Sequence, residues 1–296
     1  MGRIGALLLL GIMWILHFLP FGPLARVGEA LGLLAHCLAR ERRRVCMTNL
    51  AKCFPAISAK ERCALAKQHF RLFGRFFLEH GLLWWAPTDW FRKNVLIEGE
   101  EHLRAARGQP VIILAPHFLG LGMGGTRIAV DGALATMYQK QKNAVLDARI
   151  RQGRLRYGEE FPDSKLFSRQ DGVLAVARTI KRGVPFYYLP DLDFGSRDAI
   201  FVPFFGVPAA TITGVARLAR LTGAKVIPCV TRMLPGAAGY RVKLYPAWER
   251  FPTDDVAADT RRVNAFIEDR VREMPEQYYW LHKRFKTRPT GDASFY

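Results

Sequence analysis

Apolar and polar positions change rhythm twice along the chain. From Ile4 to Ala25 there is no acidic and no firmly cationic residue, and the run holds Leu7 to Leu10, Met13 to Leu16 and Phe18-Leu19. About 20 apolar residues suffice to cross a hydrocarbon core. The stretch therefore predicts an N-terminal membrane-anchor helix over 1–25, spanning or deeply inserted, with His17, Pro20 and Pro23 weakening its far end. Residues 24–45 continue as an amphipathic helix, with Leu24, Val27, Leu31, Leu34 and Leu38 on one side. Residues 59–85 read as a second helix, rich in Phe and ending in Trp84-Trp85.

From Val95 short apolar runs alternate with helical stretches. The strands predicted are Val95–Ile97, Val111–Leu114, Leu134–Tyr138, Pro185–Leu189, Lys225–Cys229 and Arg241–Leu244, and the helices are 143–156, 171–182, 211–222 and 256–273. Such alternation implies an α/β fold: a mostly parallel central sheet flanked by helices. Beyond the anchor, 26–296 is one domain, with a helical membrane-proximal part over 26–94 and an α/β part over 95–296.

Charge narrows the partners. A formal net charge of +18 favours acidic ones. Arg40, Arg42, Arg43 and Arg44 outnumber Arg3 across the apolar run, which places the bulk of the protein on the cytoplasmic side of an inner membrane. No zinc-finger spacing or RNP-type aromatic motif supports a nucleic-acid reader, and the basic residues are spread along the chain. The five cysteines form no C-x-x-C pair and read as reduced thiols.

Three segments offer chemistry. Val111–Leu114 runs into Ala115-Pro116-His117, so a histidine stands just past a strand end, where open α/β sheets place their chemistry. Gly120, Gly122 and Gly125 satisfy G-x-G-x-x-G, but they begin several residues after the strand. No acid stands near Tyr138–Lys142, where a ribose ligand is needed, so dinucleotide binding is disfavoured. Arg169 precedes a helical run, a setting that suits an anion clamp. Asp191 and Asp193 stand two apart, yet lack a third acid or a histidine at metal-ligand spacing, so no metal is expected.

The segment His117-Phe118-Leu119 resembles the His-x4-Asp/Glu box of glycerolipid-type acyltransferases, in the form used by the late (secondary) acyltransferases of lipid A synthesis. Asn49–Pro55 resembles the N-L-x-x-C-F-P element of the same family, and Leu166–Gly172 its arginine block. Pro190–Gly195 resembles its P-D-x-D-[YF]-G block, and Pro275–Pro289 matches its ending P-E-Q-Y-x-W-x-H-x-R-[FY]-K-T-R-P at nearly every fixed place.

The resemblance implies transfer of a fatty acyl group from acyl-carrier protein to a hydroxyl of a phosphorylated lipid A precursor, without a cofactor. It makes His117 the base and Asp193 the functional carboxylate. Arg169, Gly195 and Arg197 are then substrate-binding positions. One departure stands out: the fifth residue after His117, acidic in the family, is Gly122. That leaves three outcomes: a substitute carboxylate (with Asp193 the nearest), a slow enzyme, or a membrane-associated binder of anionic lipid without catalysis.

Overall fold

The structure is a computed structural model that describes residues 2–157 and 160–296, the side chain of Arg169 excepted. Helix α1 (Arg3–Leu16) is 14 residues long, about 21 Å at 1.5 Å per residue. It ends before Pro20, and α2 (Phe21–Leu38) starts anew. Among the described residues no helix is long and apolar enough to cross a membrane, which corrects the expectation of a spanning N-terminal helix. The amphipathic stretch 24–45 is likewise two helices. Ala39 breaks it with φ −84° and ψ 67°, and α3 (Arg40–Cys53) follows.

Helix α4 (Ala59–Trp85) matches its predicted span and starts with a capping box between Ser58 and Glu61. It packs closely on α2 because glycines face each other. A Cβ on Gly32 would lie 2.1 Å from the Phe70 carbonyl oxygen, and one on Gly74 would lie 2.1 Å from that of Gly28. Beneath the contact, Arg75 bonds Glu79 at 2.9 Å, and Tyr240 donates its hydroxyl to the same carboxylate.

After α5 (Thr88–Asn94) the sheet begins. Its strands are β1 (Val95–Glu98), β2 (Val111–Leu114), β3 (Ala135–Met137), β4 (Lys165–Phe167), β5 (Phe186–Tyr188), β8 (Lys225–Met233) and β9 (Tyr240–Leu244), with the hairpin β6 (Ala199–Phe204) and β7 (Val207–Ile212) apart. The order is β1-β9-β8-β2-β5-β3-β4. Every pair is parallel except β8 with β9, so the mostly parallel sheet is as expected. The helices α6 (Glu100–Arg104), α7 (Leu121–Ala129), α8 (Ala144–Arg154), α9 (Gly172–Lys181), α10 (Gly214–Thr222) and α11 (Val256–Glu273) complete the chain. Both sheet faces are covered. Ile112 and Leu114 join one apolar cluster, while Val111 and Ile113 join the other, so all four residues of β2 are buried and the strand reads as a continuous apolar run.

Candidate active site

Strands β2 and β5 are in register, with Leu114 beside Tyr188. Three residues beyond each, His117 and Asp191 meet. The His117 ring bonds Asp191 through Nδ1 at 2.7 Å, and the His117 backbone N–H donates to the same carboxylate at 3.0 and 3.2 Å. Parallel register alone brings the two loops together. The Asp191 side chain is fully buried, whereas the His117 ring keeps 14% of its surface.

Burial would raise the Asp191 carboxyl. The charge of His117 and the hydrogen bonds from its ring and backbone more than offset that, and hold the group below its ordinary range. An ionised Asp191 accepts from Nδ1–H, which leaves Nε2 as the nitrogen that this carboxylate does not engage.

Asp193 does not fill the place expected of it, because its oxygens are already bound. Oδ1 accepts from the Gly195 backbone at 2.9 Å and from the Thr287 hydroxyl at 2.8 Å, and Oδ2 accepts from the Thr287 backbone at 2.7 Å. Its own N–H donates to Nε2 of His282 at 3.0 Å. Burial, with help from the charges of His117 and Arg284, lowers His282 to about 4, so at neutral pH its ring accepts that bond. Asp193 thus ties the C-terminal segment to the loop after β5. Gly195 turns this loop at φ +100°, a conformation that favours glycine. Arg197 lies exposed beyond the turn. Arg169 opens a short 3-10 turn before α9, and its side chain lies outside the described residues.

The C-terminal segment builds the wall beside His117. Tyr279 donates its N–H to the His117 carbonyl at 3.0 Å, and Leu119 donates to the Gln277 carbonyl at 2.9 Å. The Tyr279 ring stacks on the imidazole with centroids 6.5 Å apart. Asn49, given no chemistry from sequence, donates at 2.8 Å to the carbonyls of both Trp280 and His282. Arg284 is buried and donates to the Ala210 carbonyl at 3.0 Å and to the Thr211 hydroxyl at 3.1 Å.

His117 opens onto a cavity of about 440 Å³ between α1, α4, α7, α8 and the sheet. Most of its wall is hydrocarbon, including Met13, Phe76, Leu121 and Ile150. Gly122 lies on this wall in the first turn of α7. A Cβ there would meet only the flexible tip of Leu83, at 3.0 Å. No group of three or more potential metal ligands occurs among the described residues.

The fold and site are those of an α/β protein in which a buried carboxylate holds one nitrogen of a histidine beside a largely apolar cavity. Comparison of the sequence with known proteins specifies the class further. Residues 2–287 match the family described as bacterial lipid A biosynthesis acyltransferase, and the chain belongs to that family. It is 33% identical to the lipid A biosynthesis lauroyltransferase of Escherichia coli K12, over 97% of this chain and 93% of the relative. The palmitoleoyltransferase of the same organism is 31% identical, covering 97% and 92%, and its myristoyltransferase is 29% identical, covering 90% and 82%. The protein is an acyltransferase of lipid A biosynthesis, and with it of lipopolysaccharide biosynthesis.

Proposed function

We propose that the protein transfers a fatty acyl chain from acyl-carrier protein to a hydroxyl of a phosphorylated lipid A precursor, with His117 as base and Asp191 as the carboxylate that orients it. The observation that carries this reading is the 2.7 Å bond between His117 Nδ1 and Asp191, which supplies the acid partner that Gly122 withholds. Nε2 takes the proton of the acceptor hydroxyl as its oxygen attacks the thioester carbonyl. The tetrahedral intermediate collapses, the C–S bond breaks, and the departing thiolate recovers that proton from the imidazolium. The N-terminus of α7, next to His117, favours negative charge there. The acyl chain occupies the apolar cavity. The net charge of +18 attracts both the acidic carrier and the phosphorylated acceptor. Arg169 and Arg197 are proposed to bind acceptor phosphate.

The same reading places the protein on the cytoplasmic face of the inner membrane, lying in the interface instead of crossing it. Ile4, Leu8 and Ile15 on α1, Phe18 in the turn after it, and Leu34 and Leu38 on α2 are exposed large apolar residues. Arg40, Arg42 and Arg44 follow at the start of α3. Apolar area with adjoining cations is the composition of an interfacial anchor.

The test is an acyl-transfer assay with membranes, acyl-carrier thioesters and a tetra-acylated precursor. Wild-type protein is expected to transfer the chain and His117→Ala to lose transfer. Activity surviving in His117→Ala would remove His117 as base.

A further inference from the structure

Helices α9 and α10 pack against each other on one face of the sheet. Val176 of α9 and Val215 of α10 lie in the apolar cluster with Ile112 and Leu114, whereas Met123 of α7 lies in the other, with Val111 and Ile113. Helix α1 shares the cavity wall with α7, so α9 and α10 cover the face turned away from the anchor. Because α9 follows β4, which runs parallel to β3, β5 and β2, its first turn stands at the sheet edge that carries His117.

The outer surface of α9 is apolar at its start and cationic beyond. Val173 and Leu174 are 57% and 61% exposed. Arg178 and Lys181 follow Leu174 at helical spacing, with Arg182 next to them, and all three are exposed. Among the described residues none hydrogen-bonds or ion-pairs with the side chains of these three cations. Beside them α10 presents Arg217, paired with Asp198 at 3.4 Å in an exposed contact of little strength. Neither helix carries an acid, and none occurs over 172–190 or 199–248. The helix dipole favours Lys181 and Arg182 at the C-terminal end of α9. Like charges three and four residues apart repel, however, and the helix itself supplies no acid to balance them.

We propose that this outer face of α9, with Arg217 beside it, is the docking surface for acyl-carrier protein. The proposal rests on the reading of that carrier as the acyl donor. An acidic carrier meets Arg178, Lys181 and Arg182 with opposite charge, and Val173 and Leu174 bury apolar surface against it. Those two apolar residues stand nearest the edge that carries His117. A thioester on the carrier's flexible phosphopantetheine arm reaches over that edge: β4 lies three strands from β2, roughly 14 Å at about 4.8 Å per strand. A membrane is the poorer occupant, because this surface is on the far side of the sheet from α1, whose exposed Ile4, Leu8 and Ile15 carry the interfacial reading.

The test compares wild type with a triple variant, Arg178→Glu, Lys181→Glu and Arg182→Glu, using the same acyl group on acyl-carrier protein or on pantetheine alone. With the carrier, KM should rise about tenfold or more in the triple variant while kcat stays within a few-fold. Wild-type KM should climb toward that value as salt is raised. With acyl-pantetheine the two proteins should match, since the carrier's surface is absent. Val173→Ser combined with Leu174→Ser should likewise raise KM for the carrier and leave acyl-pantetheine untouched. An unchanged carrier KM in the triple variant overturns the proposal. So does an equal loss with both donors, which would tie the cations to folding or to the site. Lost binding to phosphatidylglycerol vesicles with an unchanged carrier KM would give the surface to the membrane instead. Calorimetric titration with the unacylated holo-carrier reads docking without turnover. A wild type that transfers from acyl-pantetheine but binds no carrier would refute the donor reading itself, whereas carrier-dependent transfer that the triple variant leaves intact removes only this surface.

Discussion

Replacing Asp191 by Asn keeps the shape of the side chain and removes its charge. The carboxylate is fully buried and its oxygen lies 2.7 Å from His117 Nδ1. When Nε2 takes up the acceptor's proton, the imidazolium charge sits roughly 4 Å from the carboxylate charge. At an effective dielectric constant of about 20, that attraction is worth about 4 kcal/mol. Each 1.36 kcal/mol is tenfold in rate, so kcat should fall about 10³-fold. An amide can also donate to Nδ1 and turn the ring to the wrong tautomer, a change that costs about 10⁴ in a serine-protease triad. The expected loss is thus on the order of 10³ to 10⁴ in kcat with KM for the acyl donor little changed. The assay is steady-state acyl transfer on purified protein, with a thermal unfolding curve to show that the variant is folded. Asp193→Asn serves as the contrast, since it should lower stability before it lowers the chemical step. Asp191→Asn within tenfold of wild type, in a folded protein, would refute the reasoning.

Three further outcomes follow from the same geometry. Gly122→Glu meets only the tip of Leu83 and replaces a helical glycine, so it should add about 0.5–1 kcal/mol of stability, read as a higher Tm. Because Asp191 already holds Nδ1, kcat should change by no more than a few-fold; a hundredfold rise would show that Asp191 does not serve as the partner. His69 is fully buried, and burial lowers it to about 4 although its bond to the Glu276 carbonyl works the other way. A base depressed in the folded state gives stability that is complete above its unfolded pKa near 6.5 and is lost as pH falls toward 4. Tm should therefore drop across that window, and His69→Asn should flatten the drop; an equal slope in the variant would exclude His69 as its source. If α1 lies in the interface, N-terminal and C-terminal tags should both be accessible only from the cytoplasm, and a periplasmic N-terminal tag would restore the spanning reading.

Much of the architecture was legible because burial imposes period and composition. Val111–Leu114 was read to the residue, and α4 over 59–85 was read to both ends, where a capping box and a proline mark them. Strand β4 and the β6–β7 hairpin were missed. β4 opens on a lysine and holds only two apolar residues, and each strand of the hairpin is interrupted by a proline, Pro203 or Pro208, so both resemble loop. The apolar run Ile4–Ala25 has the composition of a span, but its first helix ends at Leu16, short of the place where Pro20 and Pro23 weaken the run.

The sequence by itself determined that a histidine would stand at a strand end, that glycine replaces an acid five residues on, and that the ending Pro275–Pro289 belongs with that histidine. Its resemblance pointed to Asp193 as the functional carboxylate, whereas the folded chain sets Asp191 against His117. Asp191 and Asp193 are two residues apart on one loop, so composition and spacing treat them alike. The choice was made by the β2–β5 register, which sets His117 and Asp191 at the same step beyond Leu114 and Tyr188, and by Thr287, which claims both oxygens of Asp193 from 94 residues away. Strand adjacency and long-range hydrogen bonding are properties of the folded chain. No local pattern encodes them, and here they decided which aspartate His117 meets.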